Sequence, residues 1–327
     1  MTDDAPPGPT GPRPDPADLD APHGAREPWP ANLARGGAMG LADVVPGVSG
    51  GTIALVLGIH PRLVTAIAAF DRAFLRALAG VRRPAGLRGL RERLRAMDTP
   101  FLLLLVAGIG AGVLLGSWIL TGLMERHPVP LAAFFFGLIV ASVRVPWRMM
   151  PRHGPVEAAA FLAAGALAFW ITVLEPLHAP AALWFLPVAG AVAICAMILP
   201  GVSGAFLLLL MGLYEPLLHA VKSLDLVRIG LFGGGALVGI LAFSHVLRRL
   251  LDAAPGPTLA ALAGLMVGSL GRVWPFKTGG EHFGEGTNVA PPGGEAALLA
   301  LAAAVLGGLV ILLLERAGAR RPTTKPS

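Results

Sequence analysis

Apolar residues in this chain come in long blocks, and polar residues gather between them. Residues 101–123, 156–174, 229–247 and 296–314 are each long enough to cross a hydrocarbon core, which takes about 20 helical residues. Two further apolar blocks, 131–147 and 257–272, complete three spans in each half of the chain. Lipid offers the backbone no hydrogen-bond partner, so the spans are predicted to be helices. The expected fold class is an all-α integral membrane protein. The ends differ from the body. Residues 1–30 carry nine prolines and almost no large apolar residue before Trp29. Residues 1–31 are therefore expected to be a disordered cytoplasmic tail, without the basic start and apolar core of a secretory signal. Residues 316–327 are expected to be a short basic cytoplasmic tail.

The pattern runs twice. A shift of 154 residues carries Pro46-Gly47-Val48-Ser49-Gly50 onto Pro200-Gly201-Val202-Ser203-Gly204, Leu55 onto Leu209 and Gly58 onto Gly212. A second register, shifted by 127, carries Gly108 onto Gly235, Gly112 onto Gly239, Gly137-Leu138 onto Gly264-Leu265 and Ser142 onto Ser269. The shift shrinks because the first half holds an extra loop, 71–98. Each half then ends in an apolar helix that opens with Glu-Ala-Ala and closes with Glu, 157–175 and 295–315. The repeats are 32–175 and 183–315.

Charge orients them. Loop 71–98 holds eight arginines, and Arg144, Arg148, Arg152, Arg248, Arg249 and Arg316 stand at alternate span ends. Positive charge marks the cytoplasmic side. Both termini are therefore expected in the cytoplasm, and the protein in the bacterial inner membrane. Three spans per repeat is an odd number, so the repeats are expected to be inverted. The scheme closes only if 36–59 and 184–214 each enter and leave on one side, as re-entrant hairpins. Inverted repeats with broken helices meeting near the midplane are the architecture of many secondary transporters. Trp118, Trp147, Trp170, Trp184 and Trp274 fall near span ends and read as interface anchors.

The repeated turn carries the candidate chemistry. Pro46 ends the preceding helix, Gly47, Gly50 and Gly51 allow a tight path, and Ser49 is placed to cap the next helix before Thr52. The result is a helix start inside the membrane, with N–H groups open to an anion such as phosphate. Pro200, Gly201, Ser203 and Gly204 present the same feature from the other side. The bland alternative is that these turns only let helices pack closely. Asp43 lies in the apolar arm before Pro46, where an ionisable residue is a candidate proton carrier or gate. Its alternative role is to satisfy backbone donors within the hairpin. Its counterpart is Met197, and Gly51-Thr52 has Ala205-Phe206 opposite, so the asymmetry points to the first turn as the seat of chemistry. Arg35 either draws an anionic headgroup from the cytoplasm or anchors the chain there. Glu125, Arg126 and His127 form an outer gate or, more simply, a solvated loop.

Composition narrows the field. Only 14% of residues are charged, against about 25% in a soluble protein. A net charge of +6 raises nucleic acid as a partner, but the arginines cluster between spans, so none is expected. The single cysteine, Cys195, allows no intramolecular disulfide and reads as a small buried residue. Gly47-Val48-Ser49-Gly50-Gly51 matches the nucleophile elbow of α/β-hydrolases, but that motif belongs between a strand and a helix. The second copy has Ala205 in place of its last glycine, and no Asp/His pair completes a triad. No catalytic residue, cofactor or metal site is expected.

Two long signatures resemble a known family. Residues 39–54, from Met39 through Asp43 and Pro46 to Ala54, with Leu57-Gly58-Ile59, are similar to the first signature of the bacterial polyprenyl-phosphate transporters. Residues 194–204 with Leu208–Tyr214 are similar to the second. Phe134–Ser142 and Gly264–Ser269 add two more stretches, so the resemblance covers about 32–315. The chain departs from the family pattern at Arg35, His60 and Ala205, where relatives tend to carry Lys, Tyr, and Ser or Thr. The resemblance implies a flippase that returns undecaprenyl phosphate from the outer to the inner leaflet for cell-envelope synthesis. Its phosphate would be held by Ser49, Gly50, Gly51, Thr52, Ser203 and Gly204, with Asp43 and Arg35 coupling or gating. The expected partners are the lipid phosphate and the membrane, and an oligomer is compatible with this. Two other classes stay open. One is an anion channel or small-anion transporter on the same helix ends. The other is a membrane enzyme of lipid-phosphate metabolism, which would need a clustered His/Arg/Asp set, whereas the eight histidines are scattered.

Overall fold

The structure, a computed structural model, describes residues 29–45, 48–70, 98–174, 182–279 and 286–319, with Phe74, Arg76 and Leu94. Tail residues 1–28, most of the arginine loop 71–98, Pro46 and Gly47 lie outside the described residues. So do Glu175 and residues 320–327 of the basic tail.

The described chain is nearly all helix. In order, α1 is Trp29–Asp43, α2 Gly50–Val56, α3 His60–Ala68, α4 Thr99–Arg126, α5 Pro128–Ser142, α6 Arg144–Met149 and α7 Pro155–Val173. The second half runs α8 Phe185–Ile198, α9 Gly204–Leu210, α10 Tyr214–Lys222, α11 Leu226–Ala253, α12 Pro255–Gly268 and α13 Glu295–Ala319. A 3-10 turn, Ser269–Val273, continues α12, and a two-stranded ribbon pairs β1 (Lys277–Thr278) with β2 (Thr287–Asn288). Six stretches are long and apolar enough to cross a membrane: Thr99–Arg126, Pro128–Met149, Pro155–Val173, Leu226–Ala253, Pro255–Val273 and Glu295–Arg316. They overlie the six expected spans. Counting each bent pair, α2 with α3 and α9 with α10, as one span raises the number to eight.

The structure differs from the sequence reading in several places. The arm before Asp43 starts at Trp29 rather than 36, because Pro30 in the first turn suits a helix start. The last helix runs on to Ala319, past the expected end at 314, and carries Arg316 in its last turn, where a cation suits the helix dipole. The short helices α3 and α10 were not expected at all. Each follows a sharp bend, of 115° and 110°. The bends share one cause. Gly58 and Gly212, at φ +70° and +66°, take the left-handed conformation that ends a helix. Ile59 N donates to Ala54 O and Gly58 N to Leu55 O, while Leu213 N donates to Leu208 O and Gly212 N to Leu209 O. This is the same Schellman closure at both sites.

Packing follows small residues. Helix α1 lies on α4 and α8 on α11 within the two halves, whereas α5 lies on α13 and α12 on α7 across them. The matched glycines do matched work. A side chain on Gly108 would strike the Leu33 carbonyl of α1, and one on Gly235 the Pro187 carbonyl of α8. Likewise Gly137 meets Ala304 of α13, and Gly264 meets Phe161 of α7. In lipid, such close approach is the main route to helix association.

Several of the basic span ends gather on one face. Arg62 pairs with Asp98 at 2.7 Å, its guanidinium 4.1 Å from the Phe101 ring, which joins α3 to the start of α4. Val64 packs on Leu247 near the end of α11. Leu251 joins Met150 and Leu259, after α6 and at the start of α12. Arg144 reaches Glu315 at 3.7 Å, joining α6 to α13. Towards the opposite end, Trp274 stacks edge-on with Phe136, and Phe276 packs on Ala133 and Ala300.

Candidate functional site

The two repeated turns meet. Backbone paths through them correspond bond for bond. Val45 N donates to Ala42 O and Val48 N to Val45 O, as Leu199 N donates to Ala196 O and Val202 N to Leu199 O. Each path ends in a serine that caps a seven-residue helix. Ser49 accepts from Gly51 N at 3.1 Å, and Ser203 accepts from Phe206 N at 3.4 Å.

Contacts between the turns are made from the first side. Ser49 Oγ lies 3.2 Å from Met197 O and 3.1 Å from Leu199 O, and these carbonyls share its one proton. His60 donates from Nε2 to Ile198 O at 3.2 Å. Gly201 N donates to Thr52 Oγ1 at 3.0 Å. Carbonyls at the end of α8, left over by the helix pattern, are thus satisfied by side chains of the first half. Gly51 allows the approach. A methyl there would lie 2.6 Å from Ile198 O and 2.9 Å from Met197 O.

At the first turn the donors of α2 are occupied. Asp43 Oδ1 accepts from Gly50 N at 2.7 Å, Ser49 Oγ takes Gly51 N, and Ser49 O takes Thr52 N at 2.9 Å. Ser49 and Thr52 are both 0% exposed. A carboxylate on a helix-start amide is the arrangement an anion would otherwise make.

The second turn is different. The Gly204 and Ala205 amides make no hydrogen bond among the described residues, and Ser203, 6% exposed, donates to no group there. A cavity opens beside it, lined by Thr172, Gly201, Ser203, Phe206, Ser269 and Arg272, with α7 as its apolar wall. Arg272 lies with its guanidinium carbon 4.0 Å from the centre of the Phe206 ring, and its Nε is buried. Lys277 follows, donating from Nζ to Gly271 O at 3.1 Å. Burial, and then the charge of Arg272, push the Lys277 ammonium from its usual 10.5 down to about 8.

The structure therefore brings together Asp43, Ser49, Gly50, Gly51, Thr52 and Gly201, whereas Ser203 and Gly204, further along the second turn, make no hydrogen bond to the first among the described residues. It does not bring Arg35 to them. That side chain donates to Asn32 Oδ1 at 3.0 Å, about 12 Å down α1 from Asp43 at 1.5 Å per residue. Cys195 is half-buried, its thiol 3.6 Å from Gly239 O. Glu125, Arg126 and His127 are exposed. Arg272 was missed because an arginine at a span end reads as an interface charge. The comparison of halves held a signal for it. In the 127-residue register its counterpart is Val145, so the cation is a departure from the repeat.

A chain of stacked apolar helices, six of them long enough to span, around two joined and buried helix starts is a multi-pass membrane protein of the all-α class. It belongs to the VCA0040-like family, described as undecaprenyl phosphate translocase-like, whose model matches residues 39–287. It is 42% identical over 246 residues to a polyprenyl-phosphate transporter of Vibrio cholerae serotype O1, covering 74% of this chain and 77% of that one. It is 28% identical over 263 residues to a polyprenyl-phosphate transporter of Staphylococcus aureus, covering 75% of this chain and 86% of that one. No solved structure matches it.

Proposed function

We propose that this chain is a flippase for undecaprenyl phosphate, moving the lipid carrier from the outer to the inner leaflet for reuse in envelope synthesis. The meeting of two serine-capped turns inside an apolar helical body carries the reading. A phosphate has N–H and O–H donors there, while a long apolar tail stays in lipid. The names of the two relatives support the substrate class.

In this reading the two halves are inverted in the inner membrane, and both termini are cytoplasmic. The face that gathers Arg62, Arg144, Arg248, Arg249 and Arg316 is the cytoplasmic one. The stretches around Pro46 and Pro200 are re-entrant, from the cytoplasm and from outside, and α3 and α10 lie in the interfaces. Ser49, Gly50, Gly51 and Thr52 form one half of the phosphate site, Ser203 and Gly204 the other. Asp43 is the gate. It holds the Gly50 amide until the phosphate replaces it. Arg35, further down α1, meets the headgroup on its way to the cytoplasm.

Depleting the protein in a strain without a redundant transporter tests the function. The outer-leaflet pool of undecaprenyl phosphate should rise, and an unchanged pool would overturn the reading. Liposomes that conduct phosphate or chloride without any lipid substrate would favour the channel alternative. Asp43→Asn keeps an oxygen for Gly50 N but drops the charge, so it should fold normally and lose regulated transport. Asp43→Ala strands that amide and should also cost about 1–3 kcal/mol of stability. The topology is tested in a Cys195→Ala background. Thr65→Cys on α3 and His219→Cys on α10, both exposed, should label from opposite sides.

A further inference from the structure

The cavity beside the second turn is small and mostly apolar, but two of the side chains that line it, Ser203 and Arg272, carry groups that bind phosphate oxygens. Ser203 caps α9 through its oxygen lone pair, which leaves its hydroxyl proton to donate. That side chain is 6% exposed and lines the cavity. A buried hydroxyl donor with no acceptor is costly unless a ligand supplies one. Across from it stands Arg272, the cation among the residues that line the cavity. A guanidinium presents a planar fork of donors that matches two phosphate oxygens, and it binds them more strongly than neutral donors do. The Phe206 ring, 4.0 Å away, holds that plane. Thr172 and Ser269 now donate to Phe169 O at 2.7 Å and Met266 O at 2.9 Å, and either hydroxyl can turn to the cavity. The field points the same way. The charge of Arg272 disfavours that of Lys277, and an anion in the cavity would favour it.

We propose that Arg272, with the Ser203 hydroxyl beside it, binds the phosphate headgroup of the transported lipid in the cavity at the second turn. This rests on the flippase reading and adds to it. Arg272 is the cation of the site, and the face opposite Arg144, Arg248 and Arg316 is where the headgroup is first captured. The chemistry recognised is a phosphate monoester, whether on a polyprenyl chain or as free phosphate.

The test uses the full chain, purified and reconstituted, with wild type, Arg272→Gln, Arg272→Lys and the exposed control Arg228→Gln. The probes are undecaprenyl phosphate, undecaprenol and inorganic phosphate. Binding and liposome transport are both read, and thermal unfolding without ligand checks that each variant is folded. Arg272→Gln should weaken undecaprenyl phosphate binding at least about tenfold, with Arg272→Lys recovering part of it. Undecaprenol binding should not change in any variant, and Arg228→Gln should match wild type. Loss of undecaprenyl phosphate binding, with or without loss of inorganic phosphate binding, supports the proposal. If folded Arg272→Gln binds and moves undecaprenyl phosphate like wild type, the proposal is wrong and the flippase reading stands. Loss of inorganic phosphate binding alone, with lipid transport intact, also overturns it. A wild-type protein that moves no undecaprenyl phosphate overturns both.

Discussion

The two turns share a motif, a backbone path and a serine cap, yet they are in opposite states. The first is closed. Asp43 and Ser49 occupy the helix-start donors, and Ser49 and Thr52 are wholly buried. The second is open. Its Ser203 proton and its first two helix amides make no hydrogen bond among the described residues, and a cavity containing Arg272 lies against it. The two turns share one backbone scaffold. In the proposed reading, a few side chains that differ between the matched stretches, Asp43 against Met197 and Arg272 against Val145, decide which turn receives an anion. The sequence alone pointed to the first turn as the seat of chemistry because Asp43 stood out there. The geometry supports a division of labour, with capture at the second turn and gating at the first.

The largest expected effect comes from wedging the turns apart. In Gly51→Ala the new methyl would lie 2.6 Å from the Ile198 carbonyl, which is backbone and cannot swing away. Overpacking of this kind costs about 1–3 kcal/mol. The reverse change at the equivalent place, Ala205→Gly, removes a methyl the second turn already accommodates and should cost only about 0.5–1 kcal/mol. Thermal unfolding in detergent compares the two. Equal losses would mean that the turns do not seal against each other as unequal partners.

A smaller effect separates the serines. Ser49 accepts one hydrogen bond and donates towards two carbonyls of the other half, so Ser49→Ala leaves Met197 O and Leu199 O short of a partner. Its loss should appear mainly as stability, about 1–2 kcal/mol. Ser203→Ala removes one long cap bond of 3.4 Å and should appear mainly as weaker lipid-phosphate binding. Measuring unfolding and binding on both variants gives a crossed pattern. If Ser203→Ala lowers stability more than Ser49→Ala and leaves binding alone, the open turn is only a structural cap.

Much of the fold was legible because repetition makes weak signals count twice. Gly58 alone is one glycine among 43; its match with Gly212 showed the repeat, and only the structure shows that both sit at a bend. Gly108 with Gly235, and Gly137 with Gly264, likewise marked the repeat, and the structure places them at helix contacts. The exchange of partners, α5 onto α13 and α7 onto α12, was not legible. The same Leu, Val and Ala residues face lipid and neighbouring helices alike, so no periodicity tells one face from the other. Asp43 was legible as a group satisfying backbone donors, since Gly50 is only seven residues on. Arg272 needed the fold, because a 3-10 turn at the end of α12 is what carries it to Ser203.

The smallest expected effect concerns the field at the open turn, and its sign is informative. Lys277 loses its proton at about 8 rather than 10.5. Arg272 stays charged throughout, and a phosphate monoester is already doubly charged above about pH 6. Between pH 7 and 9 the change at this end is therefore the loss of the Lys277 charge. Affinity for undecaprenyl phosphate should fall about twofold to threefold over that range, the size of one partly screened charge several ångströms away. Stability should move the other way. The unfolded chain holds the lysine proton up to its usual 10.5 while the folded chain has lost it near 8, so the folded state gains as pH rises between them. A pH series of binding and unfolding on the same sample thus gives opposite slopes. Lys277→Arg, which keeps its charge, should flatten both. A flat binding profile in the wild type would take Lys277 out of the field at the second turn and leave Arg272 as its cation.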